Sequence, residues 1–273
     1  MTVLHTPYGA VRLRRRGQGQ RLLIALHGFA QDGSAFDELV DADGHSGTLY
    51  AIDLPFHGET AWKRKDFRPG QLADIIDHIL IRENRLRFEA IGHSMGARLW
   101  ISLLPRYTGR INALYLIAPD GFYLPWGKLT EPLPATARKL AGRLVQDPDW
   151  LLQTAAWLYR RGWLDHFAIR YLNHHCAGPQ RLQRMLHTWY SLAHFPLKRQ
   201  RAVQLLRESN VPTLVLLGQQ DRIVPTTRVQ PYLEDLPNVL VQEEPGTHLS
   251  LLKQAAPYLK DGLIRYWQWL RMK

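Results

Sequence analysis

Residues 88–96 read FEAIGHSMG, and this stretch decides the fold. Phe88 to Ile91 is a short apolar run that suits a buried strand, and from Ala97 to about Arg106 apolar residues suit a helix. Between them, Gly92-His93-Ser94-Met95-Gly96 fits the G-x-S-x-G pattern of a nucleophile elbow. A serine lifted out of a sheet on a tight strand-to-helix turn needs glycines beside it, because the backbones approach too closely for a Cβ. The same turn puts the serine at a helix N-terminus, where backbone N–H groups and the helix dipole favour a developing negative charge.

The pattern continues on both sides. Arg21 to Leu26 (RLLIAL), Thr48 to Leu54 (TLYAIDL), Ala113 to Ile117 (ALYLI), Thr213 to Leu217 (TLVLL) and Val239 to Gln242 read as further strands. Gln71 to Ile81 carries apolar residues at helical spacing, with Pro69 suited to its start, and Leu249 to Leu270 reads as a closing helix interrupted near Pro257. Thr2 to Thr6 and Ala10 to Arg15 flank Tyr8-Gly9 and predict an antiparallel hairpin on a sheet edge. Continuous rather than alternating apolar runs indicate strands covered on both faces. Strands joined by helices then predict an α/β architecture with a mostly parallel central sheet, wound by right-handed crossovers.

Residues 121–209 break this rhythm and are expected to form a helical cap inserted between a core made of 1–120 and 210–273. Helical patterns recur there at Thr136–Val145, Asp149–Tyr159 and Arg181–Leu192, and the stretch is rich in Trp and Tyr. Of the net charge of +11, this stretch supplies +8, from thirteen Lys or Arg against five Asp or Glu. A basic surface attracts anionic substrates and partners, and equally serves as a plain solvated face. No known nucleic-acid-binding motif accompanies it, so no nucleic-acid partner is expected. No apolar run reaches the ~18 residues of a membrane span, and Met1 to Arg16 lacks the apolar core of a secretory signal. A single cysteine, Cys176, leaves no disulfide framework. These features fit a cytoplasmic protein. His174-His175-Cys176 invites a metal, but adjacent side chains on a helix diverge and no carboxylates cluster nearby, so neither metal nor cofactor is expected.

A serine hydroxyl becomes a useful nucleophile only when a base removes its proton. His248, in Pro245-Gly246-Thr247-His248, follows the last strand, and Asp221 stands at the C-terminal end of the Thr213 strand. Strand C-termini are where open α/β sheets bind ligands. Chain order and context give a triad of Ser94, Asp221 and His248, in which the carboxylate orients the imidazole. Asp120, directly after the Ala113 strand, is a rival for the acid. The backbone N–H groups of Met95 and Phe29 are expected to hold the oxyanion, with Gly28 letting the loop turn. His27 reads as a structural histidine of that loop.

Together, His27-Gly28-Phe29, Asp53-Leu54-Pro55-Phe56-His57-Gly58, Gly92-His93-Ser94-Met95-Gly96, Asp221-Arg222-Ile223-Val224-Pro225 and His248 resemble the α/β-hydrolase superfamily. The resemblance covers the chain apart from 121–209. It implies cofactor-free hydrolysis of carboxylic esters or related acyl compounds through an acyl-enzyme. Where relatives usually read D-x-P-G-H-G, Phe56 replaces the first glycine and either narrows the site entrance or packs. Ser94-Met95-Gly96-Ala97-Arg98 is also similar to the menaquinone-pathway SHCHC synthase, a lyase for a polyanionic substrate, which would give Arg98 a carboxylate to bind. A basic cap would suit that substrate, or an acyl group on an acidic carrier protein. Trp126 and other cap aromatics are expected to line an apolar acyl pocket, which with Arg98 and Phe56 completes the expected substrate contacts. A non-catalytic binding protein of this fold would be marked by a lost triad member, and none is lost.

Overall fold

A computed structural model of the chain describes residues 2–37, 39, 47–122, 148–164, 166–176 and 178–260. The strands are β1 (Thr2–Thr6), β2 (Gly9–Arg16), β3 (Arg21–Leu26), β4 (Gly47–Ile52), β5 (Ala61–Trp62), β6 (Phe88–His93), β7 (Ile111–Ile117), β8 (Thr213–Gly218) and β9 (Val239–Glu244). They form one sheet in the order β1-β2-β4-β3-β6-β7-β8-β9, with β5 paired to β2. The β1–β2 and β2–β4 pairings are antiparallel, whereas every pairing from β4 across to β9 is parallel. The hairpin at the edge and the parallel run match the sequence expectation. The short β5 is an addition, formed where Ala61 and Trp62 meet Ala10 and Gly9.

The helices are α1 (Pro69–Arg82), α2 (Met95–Tyr107), α3 (Pro148–Arg160), α4 (His166–Cys176), α5 (Pro179–Leu192), α6 (Arg199–Ser209), α7 (Thr226–Val229), α8 (Leu251–Gln254) and α9 (Ala256–Lys260). Helix α1 has Pro69 at its first turn and buries Leu72, Ile75, Ile76 and Ile79, an i, i+3, i+4, i+7 stripe. On one face of the sheet, Ile91, Tyr115, Leu214 and Leu216 pack with Leu251, Leu252 and Leu259 of the closing helices. The closing helix is broken between Gln254 and Ala256, before Pro257, and the part of that expectation beyond Lys260 lies outside the described residues.

The chain divides into two compact units, residues 1–125 with 195–273, and residues 126–194. The second is helical as far as it is described, with α3 packed on α4 and α4 on α5. Its buried residues include Ala155, Ile169, Leu182 and Met185. The second unit spans 126–194, where the sequence leads us to expect an insertion over 121–209. Helix α6 belongs to the sheet-bearing unit, where it packs on α2 and buries Ala202, Leu205 and Leu206. The expected helix over Thr136–Val145 lies outside the described residues. No helix among the described residues is long and apolar enough to cross a membrane.

Among the described glycines, the closest approach is that of Gly96 of α2 to β3. A Cβ at residue 96 would fall on the backbone carbonyl of Leu26, and one at residue 92 would lie 2.6 Å from the backbone of Ala97. Neither obstacle is a side chain that can swing away. Gly96→Ala should lower unfolding stability by at least about 3 kcal/mol, or prevent folding. Gly109→Ala, whose Cβ meets nothing within 4 Å, should change stability by less than about 0.5 kcal/mol. Urea unfolding of both variants checks the contrast.

Candidate active site

Ser94 connects β6 to α2 with φ 50° and ψ −112°, a conformation that a residue with a Cβ adopts only under constraint. The constraint is visible. Ser94 N–H donates to Ile117 O of β7 at 2.9 Å, and Ser94 O accepts from Ala97, Arg98 and Asp120 N–H at 3.0, 3.3 and 3.2 Å. The turn is thus pinned by its own helix and by the neighbouring strand, and Ser94 is left half-buried at the end of β6. Met95 opens α2, a position whose N–H has no carbonyl four residues back to bond.

Asp221 and His248 come together from the ends of β8 and β9. His248 Nδ1 lies 2.7 Å from Asp221 Oδ2, with the carboxylate fully buried and the imidazole side chain 11% exposed. Asp221 Oδ1 also accepts from Ile223 and Val224 N–H, both at 2.8 Å. Three donors therefore fix the carboxylate, and its orientation fixes Nδ1–H as the proton His248 donates, leaving Nε2 as the basic nitrogen. The two loops are laced together, since Gln220 N–H donates to Gly246 O and Gly246 N–H donates to Gln220 Oε1.

The rival acid is engaged elsewhere. Asp120 Oδ2 stands 3.6 Å from Arg98 Nη1, both side chains being almost fully buried. Burial pushes the Asp120 carboxyl above the usual carboxylate range, although Arg98 opposes the shift. Arg98 also donates from Nη2 to Leu197 O at 3.3 Å. The guanidinium thus bonds the protein's own interior. The pairing of Arg98 with Asp120 has no signature at the level of sequence, because residues 22 positions apart meet only through the β6–β7 register.

His27 behaves as a loop clasp. Its Nδ1 faces Gly28 O at 2.7 Å, and its Nε2 accepts from Leu54 N–H at 3.0 Å, which joins the loops after β3 and β4. Phe29 lies in that loop with its ring edge-on to His57, 5.9 Å between centroids. Phe56 is held at φ 69°, the left-handed region that glycine occupies without strain. The replacement of glycine in D-x-P-G-H-G was the one sequence signal of that strained turn. Trp126 lies outside the described residues. His174 is exposed, and Cys176 is buried with Sγ 3.6 Å from Met185 Sδ. No group of His, Cys, Asp and Glu among the described residues is arranged to hold a metal ion. The sequence reading missed Gln31 and the role of His93, which bond one another beside the elbow.

A family model described as alpha/beta hydrolase fold matches residues 21–255. The chain is similar to the dihydrolipoyllysine-residue acetyltransferase component of the acetoin cleaving system of Cupriavidus necator, 26% identical over 226 residues. That match covers 81% of this chain but only 57% of the relative's length. Among solved structures, a thioesterase domain from the curacin biosynthetic pathway superposes with a TM-score of 0.67 at 18% identity, covering 96% of this chain and 98% of that one. A thermophilic esterase from Thermogutta terrifontis gives 0.65 at 19% identity, covering 99% and 97%. At these identities the superpositions speak for the fold.

Two fully buried histidines give the site a pH signature. Burial holds the imidazole of His27 down to about 4 and that of His93 to about 3, the nearby His248 adding to the second shift. Both sit below the ordinary histidine value of 6.5, so the unfolded chain binds protons that the folded one refuses. Stability should fall as pH drops below that ordinary value, by on the order of 2 kcal/mol per histidine between pH 7 and pH 5. Urea midpoints measured across that range check this, and a flat profile would contradict the assignment of both rings as buried and neutral.

Proposed function

The chain belongs to the alpha/beta hydrolase fold family, and from that membership and the site's geometry we propose that it is a serine hydrolase of carboxylic esters or related acyl compounds. The observation that carries the reading is the bond from buried Asp221 to His248, 2.7 Å, in a chain whose serine tops a strained elbow. Ser94 Oγ attacks the acyl carbon while His248 Nε2 takes its proton. The tetrahedral intermediate places its oxyanion against Met95 N–H and, on this reading, Phe29 N–H. His248 then protonates the leaving group and later activates the water that releases the acyl chain. Asp221 holds the imidazole in the tautomer this sequence requires and stabilises it when protonated. Selection among acyl chains is assigned to the helical unit. Two neighbours, a thioesterase domain and an esterase, suit this class of substrate. The lyase reading rests on Arg98 and the basic cap; Arg98 pairs with Asp120 at 3.6 Å and donates from Nη2 to Leu197 O, and the hydrolase reading is the one taken forward.

Hydrolysis of p-nitrophenyl acetate and butyrate tests the proposal. Ser94→Ala should lower kcat at least about 10⁴-fold, and Asp221→Asn about 10³- to 10⁴-fold by leaving His248 in the wrong tautomer. Asp120→Asn should retain most of the rate. Loss of turnover in Asp120→Asn but not in Asp221→Asn would overturn the acid assignment, and an inert parent would overturn the hydrolase reading.

A further inference from the structure

Three segments that the proposed mechanism treats separately meet at one buried ring. His93, the residue before the nucleophile, is 1% exposed. Its Nε2 lies 2.9 Å from His248 O, and its Nδ1 lies 2.6 Å from Gln31 Oε1. Gln31 Oε1 also accepts from Gly28 N–H at 2.9 Å. The chain of contacts therefore runs from the loop after β3, through the elbow, to the backbone of the proposed base. Residue 28 must be small for this to fit, since a Cβ there would lie 2.7 Å from Gln31 Oε1 and 2.9 Å from His93 Nδ1.

His248 O and Gln31 Oε1 both only accept, and a neutral imidazole has one N–H, so His93 bonds both oxygens at once only as the imidazolium, and the neutral ring donates to one of them. Gly28 N–H needs an acceptor, and Gln31 supplies it from its own side chain. The rings of His93 and His248 stand 5.0 Å apart, so an error in one is felt by the other. The base loop has other fastenings, to Asp221 through the imidazole and within Thr247–Ser250, but the His93 bond is the one that references it to the nucleophile.

Resting on the serine-hydrolase reading, we propose that Gln31 and His93 are positioning residues, forming a strut that holds the proposed base and the proposed oxyanion loop in register about Ser94. Their effect falls on the chemical step and not on substrate capture, because neither side chain is read as touching substrate. Misplacing reacting groups by about 1 Å costs on the order of 100-fold, so even a slack strut is measurable.

Gln31 is half-buried at the loop surface, which makes it the safer residue to alter. Gln31→Ala should lower kcat for p-nitrophenyl acetate about 10- to 100-fold while KM stays within about twofold. Gln31→Glu, which keeps an acceptor for Gly28 N–H and for a proton on His93 Nδ1, should recover most of the lost rate. Hydrogen exchange read by mass spectrometry supplies a second measurement that needs no turnover. In Gln31→Ala, amides of residues 246–252 should exchange at least about tenfold faster, with β3 and β6 unchanged, because the loop has lost an anchor. An alanine variant with parental kcat, no recovery in the glutamate variant, or unaltered exchange at 246–252 would each overturn the strut. A parent that hydrolyses no ester would instead overturn the hydrolase reading, and exchange alone would then decide whether the strut exists.

Discussion

The structure depends on how closely α2 is pressed onto the strands beneath it. With Gly96 against Leu26 O and Gly92 against Ala97, the backbone turns from strand to helix over one residue, and that residue is Ser94 at φ 50°. A non-glycine residue held in so sparsely populated a conformation costs about 1–3 kcal/mol and persists only where its surroundings over-determine it. Here they do, through bonds to Ile117 O and from Ala97, Arg98 and Asp120 N–H. The same press leaves the N-terminus of α2 open beside the serine, so strain and electrostatic advantage arise from one contact.

From that turn outward, the sheet-bearing unit places a succession of loops at strand C-termini, and polar bonds rather than packing set their positions. Asp221 is fixed by two backbone N–H donors and so orients His248. His27 clasps the loop after β3 to the one after β4. Asp53, fully buried, accepts from Gly33 and Glu59 N–H and closes the loop that contains Phe56. Buried neutral histidines and a desolvated Asp120 are costly, and a fold optimised for stability alone would have little use for them. Their concentration at one edge of the sheet is what the proposed chemistry would require.

Much of this was legible in the sequence because the signals are local. Continuous apolar runs identify the parallel strands, and G-H-S-M-G identifies the elbow, since glycine is dictated by backbones approaching within a few residues. Asp221 and His248 were legible from strand ends and chain order. What escaped the sequence depends on tertiary register. Helix α6 reads like any amphipathic helix, and only its packing on α2 assigns it to the sheet-bearing unit rather than to the insertion. Arg98 looks like a ligand-binding cation until the β6–β7 register brings Asp120 to it. Gln31 carries no motif at all: it bonds Gly28 within its own loop, and only the fold brings His93 to it.

The central claim is that the strained residue at the head of α2 is a nucleophile. The most direct measurement is reaction of the folded protein with a fluorophosphonate, followed by intact-mass analysis and peptide mapping. The account predicts a single adduct, on Ser94, lost in the unfolded protein where the elbow and the Asp221–His248 pair no longer exist. No adduct, or one located on another residue, would contradict it.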